Sequence, residues 1–281
     1  MNLADELAAA ADRLEASGIS EPRREASSLI ANAIGRDRVF LVAHPEYILT
    51  EREAVAVDEF ISRRSAREPF QYIVGRQEFY ALDFLVNPSV LIPRPETELL
   101  VERAIDHLRK IEEPRFCEIG VGSGCISISV LSNVPNATAV AADISEAALA
   151  VAAANAQRHN VIDRLELIRS DLFDGLPRGP YHAILSNPPY IPSNEIAGLQ
   201  PEVRDFEPVN ALTDGSSGIE ILRRIIHGTP ERLIEGGLLM LEIGAGQFEI
   251  VDRIFDRSIW RSVDVILDLQ QIPRTVIAIK K

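Results

Sequence analysis

The first part of the chain alternates apolar and polar positions with the period of an α-helix. The apolar positions of the first helix recur every three or four residues: Leu3, Leu7, Ala10 and Leu14. This helix stops at Gly18, and a second apolar stripe runs from Pro22 to Gly35, residue types suited to a helix start and a helix end. Thr50 and Glu53 have the spacing of a capping box that opens a further helix. The pattern predicts a small helical domain.

The pattern changes after residue 71. From Tyr72 to Ile92, short aromatic and β-branched runs are interrupted by glycine, asparagine and proline, which is typical of a β-hairpin. The sequence Pro-Arg-Pro-Glu-Thr-Glu at 93–98 then opens another helix. We therefore expect a helical domain at residues 1–71, a hairpin connector at 72–92 and a larger domain at 93–281.

Beyond Pro114 the patterns of strands and helices alternate. Seven short apolar runs have the length of strands: Phe116–Ile119, Ala137–Ala142, Leu165–Arg169, Ala183–Ser186, Leu238–Ile243, Val263–Leu267 and Thr275–Ile279. Helical patterns such as Glu146–His159 and Ile219–Leu233 separate the earlier runs, and such alternation builds a parallel sheet with helices on both faces. The last two runs have no helix between them, which predicts an antiparallel pair. The sequence thus predicts an α/β domain with a mostly parallel, seven-stranded sheet.

Composition and charge narrow the setting in which the chain acts. It is 46% hydrophobic and 25% charged, and no stretch approaches the roughly 18 uncharged apolar residues of a membrane-spanning helix. Acidic residues stand near the N-terminus, where a secretory signal carries basic ones, so we expect a cytoplasmic protein without a membrane partner. The net charge of −13 disfavours the basic surface by which proteins bind nucleic acid. The two cysteines, Cys117 and Cys125, and the scattered histidines lack the spacing of a metal site.

A glycine-rich loop follows the first predicted strand of the larger domain. It reads Glu118, Ile119, Gly120, Val121, Gly122, Ser123 and Gly124. Glycines at this place let the backbone turn tightly and approach a ligand closely. Asp143 ends the second strand, where an acid accepts hydrogen bonds from ribose hydroxyls, although the same residue type also suits a helix N-cap. Asp171 and Leu172 follow the third strand, where they would flank an adenine ring.

The tetrapeptide Asn187-Pro188-Pro189-Tyr190 follows the fourth predicted strand. A planar amide or exocyclic amine is a poor nucleophile because its nitrogen lone pair is delocalised, so a catalyst has to hold both N–H protons and turn the lone pair toward an electrophile. The Asn187 side-chain oxygen and a main-chain carbonyl of the proline pair offer two acceptors, and the prolines stiffen the backbone. Tyr190 would add a flat apolar wall beside the bound group. The tetrapeptide therefore predicts methyl transfer to nitrogen.

A strand, a glycine loop and a later acid suit two kinds of cofactor. A dinucleotide dehydrogenase would have a glycine three places after Gly122, but Cys125 stands there. Nicotinamide chemistry also gives no role to the tetrapeptide. S-adenosylmethionine accounts for both features, because it can lie across the carboxyl ends of the first strands with its methyl group facing the fourth. Its sulfonium is already a strong electrophile, so we expect no metal.

The glycine loop, Asp143, Asp171 and the tetrapeptide together resemble the class I methyltransferases, whose sheet is Rossmann-like. The sequence at 93–98, with Phe79-Tyr80 ahead of it, resembles the peptide chain release factor glutamine methyltransferase family (HemK/PrmC). This resemblance covers nearly the whole chain. It implies methyl transfer from S-adenosylmethionine, which becomes S-adenosylhomocysteine, to the side-chain amide N5 of the glutamine in the Gly-Gly-Gln motif of class 1 translation release factors.

The residues expected to contact the cofactor are Glu118, Gly120, Val121, Gly122, Ser123, Gly124, Asp143, Asp171, Leu172 and Asn187. The substrate glutamine would be held by Asn187, Pro188, Pro189 and Tyr190, of which Asn187, Pro188 and Tyr190 are the candidate catalytic residues. The resemblance also implies that the helical N-terminal domain docks the release factor. Leu172 departs from the family pattern, where an aromatic residue is common, and residues 268–274 lack the family's glycine-containing acidic turn.

Three other functions compete with this one. A ribosomal-protein glutamine methyltransferase is the sister activity, and an adenine-N6 nucleic-acid methyltransferase shares the tetrapeptide but needs a basic groove. A non-catalytic module that binds S-adenosylmethionine is the third. The sequence also leaves two roles open for Arg94, Glu96 and Thr97, which either line the mouth of the pocket or cap and charge a helix start.

Overall fold

The computed structural model describes residues 2–281, which form two compact units. The first unit comprises the residues up to Arg76 and Gln200–Phe206, and the second comprises Gln77–Leu199 and Glu207–Lys281. The helices are α1 Leu3–Ala16, α2 Pro22–Ala33, α3 Arg38–Ala43, α4 Glu51–Ser65, α5 Phe70–Val74, α6 Glu98–Leu108, α7 Cys125–Asn133, α8 Glu146–Arg158, α9 Pro201–Phe206, α10 Val209–Leu212, α11 Glu220–Gly228 and α12 Phe248–Asp252. The strands are β1 Arg76–Phe79, β2 Leu82–Leu85, β3 Arg115–Ile119, β4 Thr138–Asp143, β5 Leu165–Arg169, β6 Tyr181–Ser186, β7 Leu233–Glu242, β8 Trp260–Leu267 and β9 Pro273–Lys280. Within residues 2–281, no helix is long and apolar enough to cross a membrane.

The predicted helical region is confirmed in the first unit. The capping box opens α4: the Glu53 N–H donates to the Thr50 hydroxyl at 3.3 Å, and the Thr50 N–H donates to Glu53 Oε2 at 2.8 Å. The apolar stripes of α1, α2 and α4 pack into one core. Arg64 is buried beside this core, and its guanidinium pairs with Glu25 at 2.5 Å and with Glu202 of α9 at 3.0 Å. Glu202 is therefore held within this unit by ion pairs that are largely withdrawn from water.

The helical pattern continues past residue 71. Helix α5 includes Tyr72, which the sequence analysis assigned to the connector, and it ends at Gly75 with a left-handed φ of 74°. The hairpin of β1 and β2 then turns at Tyr80 and Ala81, whose φ values are 51° and 58°. Positive φ at both central residues is what a two-residue turn needs to match the twist of the strands. Residues 72–74 were assigned to the connector because aromatic and β-branched residues suit a strand, but such residues also pack in a buried helical turn.

A buried asparagine anchors the hairpin to the larger unit. Asn155 of α8 accepts the Leu85 N–H at 2.7 Å and donates to the Leu85 carbonyl at 3.0 Å. Its amide also donates to the Ser123 carbonyl at 2.9 Å. One fully buried side chain thus satisfies three backbone groups that would otherwise lack partners.

The seven-stranded, mostly parallel sheet is confirmed in the second unit. Its strand order is β5-β4-β3-β6-β7-β9-β8, and β9 runs antiparallel to both of its neighbours. Strand β7 begins at Leu233 rather than at the predicted Leu238, and α11 ends earlier than predicted, at Gly228. Pro230 lies just beyond the end of α11, where it cannot continue a helix, and Leu233 then pairs with Tyr181 of β6.

The two faces of the sheet carry separate apolar cores. Phe116, Ala183 and Met240 belong to the core on the face of α6, α7 and α8, whereas the alternate positions Cys117 and Ile184 belong to the core on the face of α11 and α12. This alternation follows from the two-residue period of a strand. Strands buried on both faces are almost continuously apolar, so any polar side chain near their ends stands out.

The strand order reverses beside β3. The chain moves outward from β3 through β4 to β5, and it then returns to β6 on the other side of β3. In open α/β sheets, the crevice outside the carboxyl ends of the strands at such a point is the usual ligand site.

We predict that Asn155→Ala lowers the free energy of unfolding by about 3 kcal/mol, because it leaves three buried backbone groups unsatisfied. Urea denaturation measures the difference. Gln157→Ala is the matched control, since it removes an exposed amide from the same helix and is expected to change stability by less than about 0.5 kcal/mol. Equal stability of the two variants would contradict the anchoring role of Asn155.

Candidate active site

A cavity of about 320 Å³ opens at the carboxyl ends of the parallel strands, and all of its lining residues belong to the second unit. The lining brings together most of the residues predicted from the sequence: Glu118, Gly120, Val121, Gly122, Ser123, Asp143, Asp171, Leu172, Asn187, Pro188 and Pro189. Its volume lies within the range of small-molecule sites. Gly124 and Tyr190 do not line this cavity.

The glycine loop presents bare backbone to the cavity. Gly120 and Gly122 have φ values of 77° and 53°, and a Cβ added at either would meet no atom within 4 Å. Gly124 has another task, since its Cβ would lie 2.7 Å from Ile128 and 3.4 Å from Ala152. The third glycine therefore allows the start of α7 to pack closely against α8, and it is not among the residues that line the cavity.

The carboxylate of Asp143 is oriented by two backbone bonds. Its Oδ2 accepts the Gly122 N–H, and its Oδ1 accepts the Ser145 N–H, both at 2.9 Å. The sequence left open that Asp143 is a helix N-cap. The N-cap of α8 is instead Ser145, whose hydroxyl accepts the Ala148 N–H at 3.2 Å. Each carboxylate oxygen has a second lone-pair direction for a ligand hydroxyl.

Glu118 supplies an unpaired acceptor. Its carboxylate is buried, and Oε2 accepts the N–H of Ser127 at 2.9 Å and the hydroxyl of the same serine. Oε1 is buried and has no partner within residues 2–281. Burial raises the pKa of Glu118 to about 8, against the opposing effect of the Ser127 hydrogen bonds. A positively charged donor, such as the ammonium group of S-adenosylmethionine, would satisfy this oxygen.

Asp171 and Leu172 lie on the cavity wall next to further apolar side chains. Asp171 pairs with Arg224 at 3.1 Å, and Leu172 adopts a left-handed φ of 51°. Ile144 and Ile221 also line the cavity, so an apolar surface is present for a flat ring. Phe173 is buried away from the cavity, where the Arg232 guanidinium stacks 4.5 Å from its ring centre.

Tyr190 fixes the end of the tetrapeptide through two hydrogen bonds. Its hydroxyl donates to Glu242 Oε1 at 3.1 Å, and its carbonyl accepts from the Gln247 amide at 2.8 Å. A buried tyrosine hydroxyl needs such a partner, and Glu242 lies beside it at the end of β7. Burial, followed by the nearby Glu242 carboxylate, raises the pKa of Tyr190. The sequence did not reveal that acceptor, and the apolar wall beside the substrate stays a prediction.

Asn187 is tied to two polar residues whose roles the sequence analysis did not assign. Its Nδ2 donates to the Thr97 hydroxyl at 3.1 Å, and that hydroxyl lies 2.6 Å from Glu242 Oε2. Thr97 and Glu242 are both 1% exposed. Burial raises the pKa of Glu242 to about 7, although the hydrogen bonds from Thr97 and Tyr190 lower it. The sequence signal that could have identified Glu242 as a site residue was an acidic residue at the carboxyl end of an apolar strand.

The sequence left open whether Arg94, Glu96 and Thr97 line the mouth of the pocket or cap and charge a helix start, and the structure distinguishes these roles. Arg94 and Thr97 line the cavity, and neither makes a side-chain cap for α6. Arg94 Nη2 donates to Glu207 Oε1 at 2.5 Å, and burial raises the pKa of Glu207 despite this pairing. Glu96 is not among the lining residues.

These features fit S-adenosylmethionine. The bare glycine backbone admits close approach, Asp143 suits the ribose hydroxyls, and Glu118 suits the ammonium group. Within residues 2–281, no group of three or more histidine, cysteine, aspartate or glutamate side chains is placed to hold a metal ion.

We predict that Asp143→Ala weakens S-adenosylmethionine binding by about 1–3 kcal/mol, or roughly 5- to 150-fold in Kd, because ribose hydroxyls lose a charged acceptor. Calorimetric titration measures the affinity. Asp163→Ala is the control, since it removes an exposed acid before the amino end of β5 and is expected to leave Kd unchanged. Unchanged affinity in the Asp143 variant would remove this residue from the cofactor site.

Solved structures with a similar fold are methyltransferases. The chain superposes on a methyltransferase from Pyrococcus furiosus with a TM-score of 0.54 at 19% identity, covering 78% of this chain and 98% of the other. It superposes on the hMettl16 catalytic domain, solved in complex with the MAT2A 3′UTR hairpin 6, with a TM-score of 0.59 at 16% identity, covering 82% of each chain. Identities this low show the fold alone.

Sequence comparisons are more specific. The family model of the PrmC N-terminal domain matches residues 5–75, and that of the methyltransferase small domain matches residues 96–198. The release factor glutamine methyltransferase of Geobacter sulfurreducens is 43% identical over 86% of this chain and 84% of its own length. That of Cereibacter sphaeroides is 41% identical over 99% of this chain and 98% of its own. The chain therefore belongs to the release factor glutamine methyltransferase family.

Proposed function

We propose that this protein transfers a methyl group from S-adenosylmethionine to the side-chain amide N5 of the glutamine in the Gly-Gly-Gln motif of class 1 translation release factors. Family membership supports the substrate. The observation that supports the chemistry is that the tetrapeptide and the glycine loop border one cavity. Ser186 pairs with Ile119 in the sheet, so Asn187 follows directly beside the start of the loop.

The tetrapeptide offers two acceptors to a carboxamide. Within residues 2–281, no hydrogen bond uses the Asn187 side-chain oxygen or the Pro188 carbonyl. Both residues line the cavity, so both oxygens are available to the two N–H groups of a substrate amide. The prolines bring no N–H of their own and keep the backbone stiff. The substrate nitrogen is thereby held with its lone pair toward the cofactor side of the cavity.

When bound, S-adenosylmethionine supplies a methyl carbon on a positively charged sulfur. The lone pair of the glutamine nitrogen forms the new N–C bond as the C–S bond breaks, the electron pair of that bond stays on sulfur, and one N–H proton passes to water. The products are N5-methylglutamine and S-adenosylhomocysteine. Alignment is the main contribution of the protein, since holding two reactants at attack distance is worth roughly 7–11 kcal/mol.

The helical first unit is our candidate for docking the release factor. Four of its apolar side chains are 65–82% exposed: Val39, Val42, Ile48 and Val55. We propose that these exposed side chains contribute to the contact with the release factor. The net charge of −13 supports a protein rather than a nucleic-acid substrate, and we propose that the reaction takes place in the cytoplasm.

We predict that Asn187→Ala lowers the single-turnover rate by about 10²- to 10³-fold, the scale for loss of one preorganised polar contact. The affinity for S-adenosylmethionine should change much less, because the glycine loop and the acids remain in place. Rapid-quench assays with saturating cofactor separate the two effects. A near-normal rate in this variant would contradict the proposed clamp.

We also predict the site of modification. Incubation with labelled S-adenosylmethionine and a mixture of release factors, ribosomal proteins and DNA should label the release factors alone. Mass spectrometry should place the methyl group on the glutamine of Gly-Gly-Gln, and a release factor with asparagine at that position should stay unlabelled. Label on a ribosomal protein or on adenine would favour one of the competing functions instead.

A further inference from the structure

We infer that Glu242, acting through the Thr97 hydroxyl, is a positioning residue that determines which end of the Asn187 carboxamide faces the substrate. The inference rests on the proposed function, because it concerns the same clamp. It adds a buried carboxylate and a relay hydroxyl that do not touch the reacting atoms. It is based on two linked hydrogen bonds: Asn187 Nδ2 donates to Thr97 Oγ1 at 3.1 Å, and Thr97 Oγ1 donates to Glu242 Oε2 at 2.6 Å.

The direction of these two hydrogen bonds follows from the number of donor hydrogens that each group has. An ionised carboxylate only accepts hydrogen bonds, so the single hydroxyl proton of Thr97 points at Glu242. The Thr97 oxygen can then only accept from Asn187, which places the Asn187 nitrogen on the Thr97 side. The Asn187 oxygen is left to face the cavity. A substrate amide that brings two N–H donors requires that oxygen and would be repelled by the NH₂ end.

The fold supplies the positions of the three groups. Leu238 and Met240 of β7 pack on the face of α6, and the two-residue period places Glu242 on that face as well. Thr97 ends the turn that leads directly into α6. Ser186 lies beside Leu241 in the sheet, so Asn187 emerges next to Glu242.

The environment of Glu242 makes its charge responsive to pH. Thr97 and Tyr190 both donate to it, while Glu96 raises its pKa and Arg274 of β9 lowers it. Cys125 of α7 is also close to Glu242. Burial and then Glu118 raise the pKa of Cys125, and the charge of Glu242 raises it further. Burial, the largest effect, leaves the Glu242 pKa at about 7. A protonated Glu242 can donate to Thr97, which frees the Thr97 proton for the Asn187 oxygen and turns the amide round.

The test uses variants that keep the shape of the site. Glu242→Gln is isosteric but brings an NH₂ donor, and Thr97→Val removes the relay hydroxyl, whereas Thr97→Ser retains it. We expect the single-turnover rate to fall by roughly 10- to 100-fold in the first two variants, the scale of losing a supporting residue or of a small misplacement at the site. Thr97→Ser should restore at least half of the wild-type rate. The double variant should be no slower than the slower single variant, because both substitutions break one unit.

A matched control separates this role from general loss of a buried polar group. Thr229 is fully buried and is not among the residues that line the cavity, and its hydroxyl donates to the Ile225 carbonyl at 2.7 Å. Thr229→Val should keep the wild-type rate. Kd for S-adenosylmethionine and the urea midpoint, measured for every variant, show whether each one folds and binds cofactor normally.

The pH dependence is the readout that a merely structural role would not produce. The wild-type rate should rise with pH through about 7, as Glu242 loses its proton. The Thr97→Ser variant should keep this rise, and Glu242→Gln should lose it. A folded Glu242→Gln protein with the wild-type rate and pH profile overturns the inference while leaving the proposed function intact. Failure of the wild type to methylate any release factor would instead overturn the proposed function.

Discussion

The parallel strands β3, β4, β5, β6 and β7 end at the same edge of one sheet, and the site depends on this constraint. Each strand end delivers a polar residue that the strand interior would exclude: Glu118, Asp143, Asp171, Asn187 and Glu242 stand at or just after these ends. The reversal of strand order beside β3 opens the crevice into which most of them face. Most residues predicted to bind cofactor or substrate therefore line one cavity because of topology, although they are far apart in sequence.

Burial then restricts what each of these groups can do. Glu242 and Asp143 have their oxygens oriented by donors from the chain, whereas Glu118 keeps one buried oxygen without a partner. An unpaired buried acceptor is costly, so it favours a ligand that brings a charged donor. At the half-buried Asn187, the side-chain nitrogen has a partner, and no hydrogen bond within residues 2–281 uses the side-chain oxygen. Groups satisfied by the protein hold the site in shape, and we propose that the unpaired oxygens of Glu118 and Asn187 face cofactor and substrate.

Much of this arrangement was predictable from the sequence. Period-two and period-3.6 patterns predicted the sheet and the first helices, and most of the residues predicted at the strand ends line the cavity. The hydrogen bond between Tyr190 and Glu242 was not predicted, because Glu242 follows Tyr190 by a long interval in sequence and long-range hydrogen bonds leave no local pattern. The packing role of Gly124 was not predicted, because a glycine that allows helix packing and a glycine that allows ligand approach look alike in sequence. The end of α11 was predicted too late because apolar residues continue from the helix into β7.

A crystal structure with S-adenosylhomocysteine and a Gly-Gly-Gln peptide would show how the substrate amide is held. We predict that the glutamine nitrogen lies within hydrogen-bonding distance, about 2.7–3.2 Å, of both the Asn187 side-chain oxygen and the Pro188 carbonyl. The same nitrogen should face the sulfur of the spent cofactor. A glutamine bound elsewhere, or one whose oxygen rather than nitrogen meets Asn187, would contradict it.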